Sequence, residues 1–246
     1  DAIDPMAIMV LINAIHLKRG WVTPFDPAIE GTFRTADGRI TTARMMSKSS
    51  NNFRGVLEIE GLCLCAAIPY DHDHESDDPR SLKDGPMMIL ILPMDPQMPV
   101  EECLASMDGE TWIDLLGHLS RGTGDEVSIT MPKFEIRTPL QSTQINEALK
   151  RMGIVSVFDF DTGGLSKMIQ GGDPGDLRLS RIIQAAFIKV DEQGTEAAAG
   201  TMGEILYRGM SHEGDEIVLD RPFAFLIADP DVRVPSFVGI VRDPSR

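Results

Sequence analysis

VDEQGTEAAAGTMGEILYRGM, residues 190–210, is the stretch on which the reading of this chain turns. Just upstream, residues 185–192 (AAFIKVDE) alternate apolar and polar side chains as a half-buried strand does. After Gly194 the chemistry changes. Thr195, Ala197, Ala199 and Thr201 are small and fall two apart, so an extended chain presents them on one face. No proline interrupts residues 194–210, and every backbone N–H there is available to a sheet ladder. The residues alone leave two readings open. Ala, Glu and Met favour a short helix or a loop, and Gly and Ala make poor strands. Small side chains on one face, with all donors intact, suit instead a segment exposed in one state and inserted into a sheet in another.

The whole chain sets the bounds. Its 246 residues suffice for one sizeable core, and 42% hydrophobic with 25% charged residues is the composition of an ordinary globular protein. A net charge of −15 argues against long-range attraction to nucleic acid or anionic membranes and favours basic partners. No run approaches a membrane span and no signal peptide is visible; Asp1 is not an initiator methionine, so a processed or truncated chain is expected. Cys63, Cys65 and Cys103 make no disulfide framework; the first two share one face of an apolar strand as buried thiols. A zinc site needs a second cysteine pair, which the sequence lacks. Asp71, His72, Asp73, His74, Glu75, Asp77 and Asp78 form an acidic-histidine loop whose spacing fixes no coordination geometry, so it reads as solvated. No metal and no cofactor is expected.

Periodicity outlines the rest. Residues 8–18 are an apolar run that suits a covered strand or a buried helix. Residues 32–46 read as two strands about the Ala36-Asp37-Gly38 turn, and residues 56–68 and 87–92 as two more. Residues 99–119 have helical spacing divided at Gly109, and residues 144–152 form a helix stopped by Gly153. Residues 126–136 alternate as one strand; residues 216–219, 221–227 and 237–241 are further strands.

The stretch DEQGTEAAAGT resembles the hinge of the reactive-centre loop of serpins: an acidic pair, Gly, Thr, Glu, then alanines and a Thr. The likeness extends from residue 8 to residue 244. LINAIHLKRGWVTPF is similar to the third strand of the family's main sheet and its exit, with Asn13 in the shutter, Trp21 in the breach and Pro24-Phe25 matching. Met45-Met46, Leu92-Pro93, Met131-Pro132-Lys133-Phe134 and Asp243-Pro244 fall at family positions. Residues 56–92 resemble a tight hairpin of the second sheet carrying an insertion at 70–86. Gln184 stands where many serpins have a histidine bonded to the shutter asparagine; an amide keeps a hydrogen bond but does not titrate.

The resemblance implies an α+β serpin fold: residues 1–246 as a single domain lacking its N-terminal half, with the reactive-centre loop at about 194–212. It implies a suicide-type inhibitor. Gly194, Thr195, Glu196, Ala197, Ala198, Ala199, Gly200 and Thr201 are the hinge. Family spacing puts the scissile bond at Arg208-Gly209, with Ile205, Leu206, Tyr207 and Met210 also touching the protease. The expected partner is a trypsin-like serine protease, since an arginine suits a pocket carrying a carboxylate. The resemblance also implies an extracellular setting. The scattered His16, His72, His74, His118 and His212 sit in no catalytic context, so no enzyme is expected. Two alternatives stand beside the inhibitor: a non-inhibitory serpin acting as carrier or chaperone, and an inactive truncated fragment. Small residues throughout the hinge favour the inhibitor over the carrier.

Overall fold

The computed structural model describes residues 9–59, 61–71, 85–121, 124–137, 142–159, 165, 168, 178–195, 215–230 and 234–245. In chain order its first strands are β1 (Val10–His16), β2 (Arg19–Gly20), β3 (Ile29–Arg34), β4 (Ile40–Ser50), β5 (Arg54–Ile59), β6 (Cys63–Pro69) and β7 (Met87–Pro93). Helices α1 (Val100–Ala105) and α2 (Gly109–Arg121) follow, then β8 (Val127–Pro132), β9 (Phe134–Arg137) and α3 (Ser142–Arg151). The chain continues with β10 (Arg181–Asp191), β11 (Gly194–Thr195), β12 (Asp215–Val218), β13 (Phe223–Ala228) and β14 (Pro235–Val241). Among the described residues these strands make three sheets, and no helix is long and apolar enough to cross a membrane.

The chain divides into two units, Asp1–His16 with Ile136–Ile188, and Leu17–Glu135 with Lys189–Arg246. In the first, β1 runs parallel to β10, from Val10 opposite Arg181 to His16 opposite Phe187. The start of β10 is fixed by α3: the Asn146 amide donates to the Ser180 carbonyl at 3.3 Å, and its oxygen accepts the Ile182 N–H at 3.3 Å. The Arg137 guanidinium lies 4.7 Å above the Phe187 ring.

In the second unit a four-stranded sheet has the order β12-β8-β4-β3, and a five-stranded antiparallel sheet the order β14-β13-β7-β6-β5. All of β7 (MMILILP) and β13 (FAFLIA) is buried, which explains sequences without polar alternation: both faces of these central strands are covered. One face packs on α1 and α2 through Val100, Cys103, Met107, Leu115, Leu116 and Leu119. Each fully buried Leu or Ile there contributes about 1.5–3 kcal/mol of transfer free energy. The α2 helix starts where it does because the Asp108 carboxylate accepts the Thr111 N–H at 2.8 Å, an N-terminal cap.

Two segments differ from the periodicity reading. Residues 56–68 are two strands, β5 and β6, because Gly61 turns the chain at φ 71 and the Leu62 N–H bonds the Ile59 carbonyl. Residues 126–136 also split, into β8 of the four-stranded sheet and β9 beside β10. Pro132 has no N–H to extend the ladder, and the Lys133 N–H turns to the Arg44 carbonyl at 2.8 Å. Only the second part of that run lies in the sheet of β10.

Candidate functional site

The stretch expected to be the hinge begins as a two-residue hairpin. Asp191 pairs with Gly194 and Val190 with Thr195, leaving Glu192 and Gln193 as the turn. The return strand β11 is held on its other side by β2, Gly194 opposite Gly20 and Thr195 opposite Arg19. Gly194 and Thr195 are therefore strand, seated between β10 and β2. Glycine is required at the first of them: Gly194 has φ 151, and a Cβ there would lie 2.2 Å from the Arg19 carbonyl oxygen.

Aromatic rings line the underside of this seat. Trp21 is buried, stacks on Tyr70 at 4.6 Å between centroids and meets Phe25 edge-on at 6.2 Å. Its indole N–H donates to the Asp191 carbonyl at 2.9 Å, its backbone N–H to the Gln193 carbonyl at 2.9 Å, and the Phe25 N–H to the Glu192 carbonyl at 2.9 Å. The hairpin turn is thus bonded from below at three successive carbonyls. Thr195 is wholly buried, and its hydroxyl lies 2.7 Å from that of Tyr70. Burial pushes the Tyr70 phenol well above its ordinary range, with the Thr195 hydroxyl opposing, so the group stays protonated and able to donate.

An ion pair fastens the turn at the side. Glu192 accepts from Lys133 Nζ at 2.6 Å and from the Ala28 N–H at 3.1 Å. Partial burial opposes ionisation of Glu192, but these hydrogen bonds outweigh it and hold the carboxyl below its ordinary value.

Of the residues singled out from sequence, Trp21, Gly194 and Thr195 come together at this site. Asn13 and Gln184 sit opposite one another in the β1–β10 register, in the other unit. Glu196, Ala197, Ala198, Ala199, Gly200 and Thr201, together with Ile205, Leu206, Tyr207, Arg208, Gly209 and Met210, lie outside the described residues. So do His72, Asp73, His74, Glu75, Asp77 and Asp78 of the acidic-histidine loop.

Tyr70, Lys133 and Glu192 are site residues that the sequence reading did not pick out. Lys133 and Glu192 lay inside matched motifs, and Tyr70 closes the apolar strand Ile68-Pro69-Tyr70, yet nothing local says that they meet. Cys63, Cys65 and Cys103 lie apart, free and buried in the core under α1. Cys63 and Cys65 Sγ are 3.7 Å apart; Cys103 favours the Cys63 thiolate, but Cys65 and burial prevail and push that thiol up to about 12.

A family model described as "Serpin (serine protease inhibitor)" matches residues 1–244. The chain is similar to the protein Z-dependent protease inhibitor of Mus musculus, with 28% identity over all of this chain and 49% of that protein. It is 30% identical to Serpin-ZX of Arabidopsis thaliana over 98% of this chain and 59% of that one. Among solved structures, the thermophilic serpin tengpin in its native state superposes with a TM-score of 0.79 at 27% identity, covering 99% of this chain and 57% of that one. The chain thus spans about half the length of the curated relatives it matches. Its three sheets, its β10–β11 hairpin over a tryptophan and the family match along its length agree: the chain belongs to the serpin family.

Proposed function

We propose that this chain is the loop-bearing part of a suicide inhibitor of trypsin-like serine proteases, cleaved between Arg208 and Gly209. One observation carries the reading: the hinge is already seated as strand for two residues, in a register that its following residues can extend. Continued past Val190↔Thr195, that register sets Glu196 opposite Lys189, Ala197 opposite Ile188, Ala199 opposite Ala186 and Thr201 opposite Gln184. Val190 and Ile188 are buried, at 1% and 4% exposure, whereas Lys189 is exposed. The small residues Thr195 and Ala197 then meet the buried positions, where bulk is not tolerated, and Glu196 meets an exposed lysine of opposite charge.

In this reading the protease serine attacks the Arg208 carbonyl carbon, the bond to the Gly209 nitrogen breaks, and an ester joins protease and inhibitor. Cutting that bond frees the loop to zip along β10. Insertion parts the β1–β10 ladder, which pairs directly over seven residues, and replaces one ladder with two. Fourteen extended residues reach roughly 45 Å, so the tethered protease travels far and its acyl-enzyme is distorted before water releases it. The partner is a secreted trypsin-like protease and the setting extracellular; the inhibitor itself performs no catalysis.

The test is a denaturing gel of this chain with trypsin beside Arg208→Ala. An adduct that survives boiling and vanishes in the variant supports the proposal; cleavage at Arg208 with no adduct makes the chain a substrate.

A second reading has its own observation. An apolar cavity of about 350 Å³ lies among Ile89, Leu104, Trp112, Leu116, Leu226 and Val238. A carrier would use such a cavity for an apolar ligand. A chain that forms no adduct but binds apolar small molecules, with loss of binding in Trp112→Ala, would favour it.

A further inference from the structure

We infer that a cleft beside the hinge turn is a binding site for a small amphiphilic anion, and that its occupation loosens the turn. The cleft has a volume of about 360 Å³ and lies between β4, the β8–β9 junction, the end of β10 and Pro244-Ser245. Its floor is apolar, from Ala43, Phe134 and Val190, all buried. Its rim carries three cations, Arg44, Lys133 and Lys189, and one carboxylate, Glu135. In a chain of net charge −15 such a grouping is a local inversion of sign. Arg44 donates to the Ala28 carbonyl, Lys133 holds Glu192, and Lys189 is exposed with no ion pair among the described residues.

A ligand with one acidic group and an apolar body matches both halves of the cleft. The body covers Phe134 and Val190, and the acid sits among the three cations, away from Glu135. An anion without an apolar body leaves the floor wet, and a neutral apolar molecule leaves the cations unanswered. Lys133 links the cleft to the hinge. A ligand carboxylate seated among the cations competes with Glu192 for the Lys133 ammonium and weakens that ion pair. The Glu192 carboxylate then keeps only the Ala28 N–H, and the turn preceding Gly194 and Thr195 loses its side fastening while Trp21 and Phe25 still bond its carbonyls. This site requires nothing of the inhibitory reading, and no protease enters its test.

The probe is 1-naphthoate, with neutral 1-naphthamide of the same shape as control, titrated calorimetrically into the full chain. Naphthoate is expected to bind and naphthamide to bind at least fivefold more weakly. Lys189→Gln, an exposed change, is expected to weaken naphthoate about two- to fivefold and leave naphthamide unaffected. Amide exchange at Thr195 is expected to accelerate at least threefold with naphthoate and to be unchanged with naphthamide. Equal binding of the two probes, or naphthoate binding indifferent to Lys189→Gln and Arg44→Gln, overturns the site. Naphthoate binding with unaltered exchange at Thr195 overturns its link to the hinge.

Discussion

Gly194→Ala probes the hinge seat most directly. An added Cβ would lie 2.2 Å from the Arg19 carbonyl oxygen, 2.7 Å from Gly20 Cα and 3.0 Å from the Arg19 carbonyl carbon, all backbone atoms that cannot swing aside. Carbon contacts are comfortable near about 3.5–4.0 Å, so the overlap exceeds an ångström and comes with a φ of 151 that L-residues avoid. The cheaper response is for β11 to leave its slot. The four register pairs of Gly194 and Thr195 with β10 and β2 cap the loss. At about 1 kcal/mol net per hydrogen bond, with a similar amount for the Tyr70–Thr195 hydroxyl bond, expulsion costs on the order of 3–5 kcal/mol. Gly61→Ala is the control, since Gly61 also has positive φ, 71, but nothing lies within 4 Å of its Cβ. That change is expected to cost only about 1–2 kcal/mol. Urea unfolding gives the stabilities, and amide exchange at Thr195 and Trp21 reports the seat, since the Trp21 N–H bonds the turn at Gln193. Fast exchange at both amides in Gly194→Ala but not in Gly61→Ala is expected. Retained protection in Gly194→Ala, with a stability loss no greater than the control's, would refute the reasoning.

Three further outcomes follow from the same geometry. Because the folded-state carboxyl of Glu192 is held below its ordinary value of 4.5, its stabilising contribution is full above that pH and is lost as pH falls through the folded value. The stability difference between wild type and Glu192→Gln should therefore be flat near neutrality and shrink in acid below about pH 4.5; a constant difference down to pH 3 would contradict the ion pair. Tyr70 should give no phenolate absorbance at pH 11 in the folded protein and should appear only on unfolding, while Tyr70→Phe should cost about 1 kcal/mol in urea melts. Cys63, Cys65 and Cys103 should resist a thiol reagent such as Ellman's until the chain is denatured, because all three are wholly buried and burial and mutual contact suppress the thiolates of Cys63 and Cys103; rapid labelling of the native protein would contradict the packed core.

Much of this molecule was legible in the order of its residues. Gly194 and Thr195, which open the alternating run, do pair as strand, because side-chain alternation is a property of the strand itself; Ala197, Ala199 and Thr201 lie outside the described residues. The apolar runs of β7 and β13 mark strands, and the breaks at Gly109 and Gly153 mark helix boundaries. Short-range pattern missed the Gly61 turn and the break at Lys133, where a single residue redirects the chain against continuing alternation.

What the tertiary structure alone decided is the company that Gly194 and Thr195 keep. Tyr70 meets Thr195 across 125 residues of chain, and the Trp21 indole meets the Asp191 carbonyl across 170. Lys133 reaches Glu192 only because the chain is diverted between β8 and β9. Periodicity records which side of an element is buried, and it carries no information about which distant element does the burying. That is set by strand order and register, and these put an aromatic floor, a buried hydroxyl pair and an ion pair around Gly194 and Thr195.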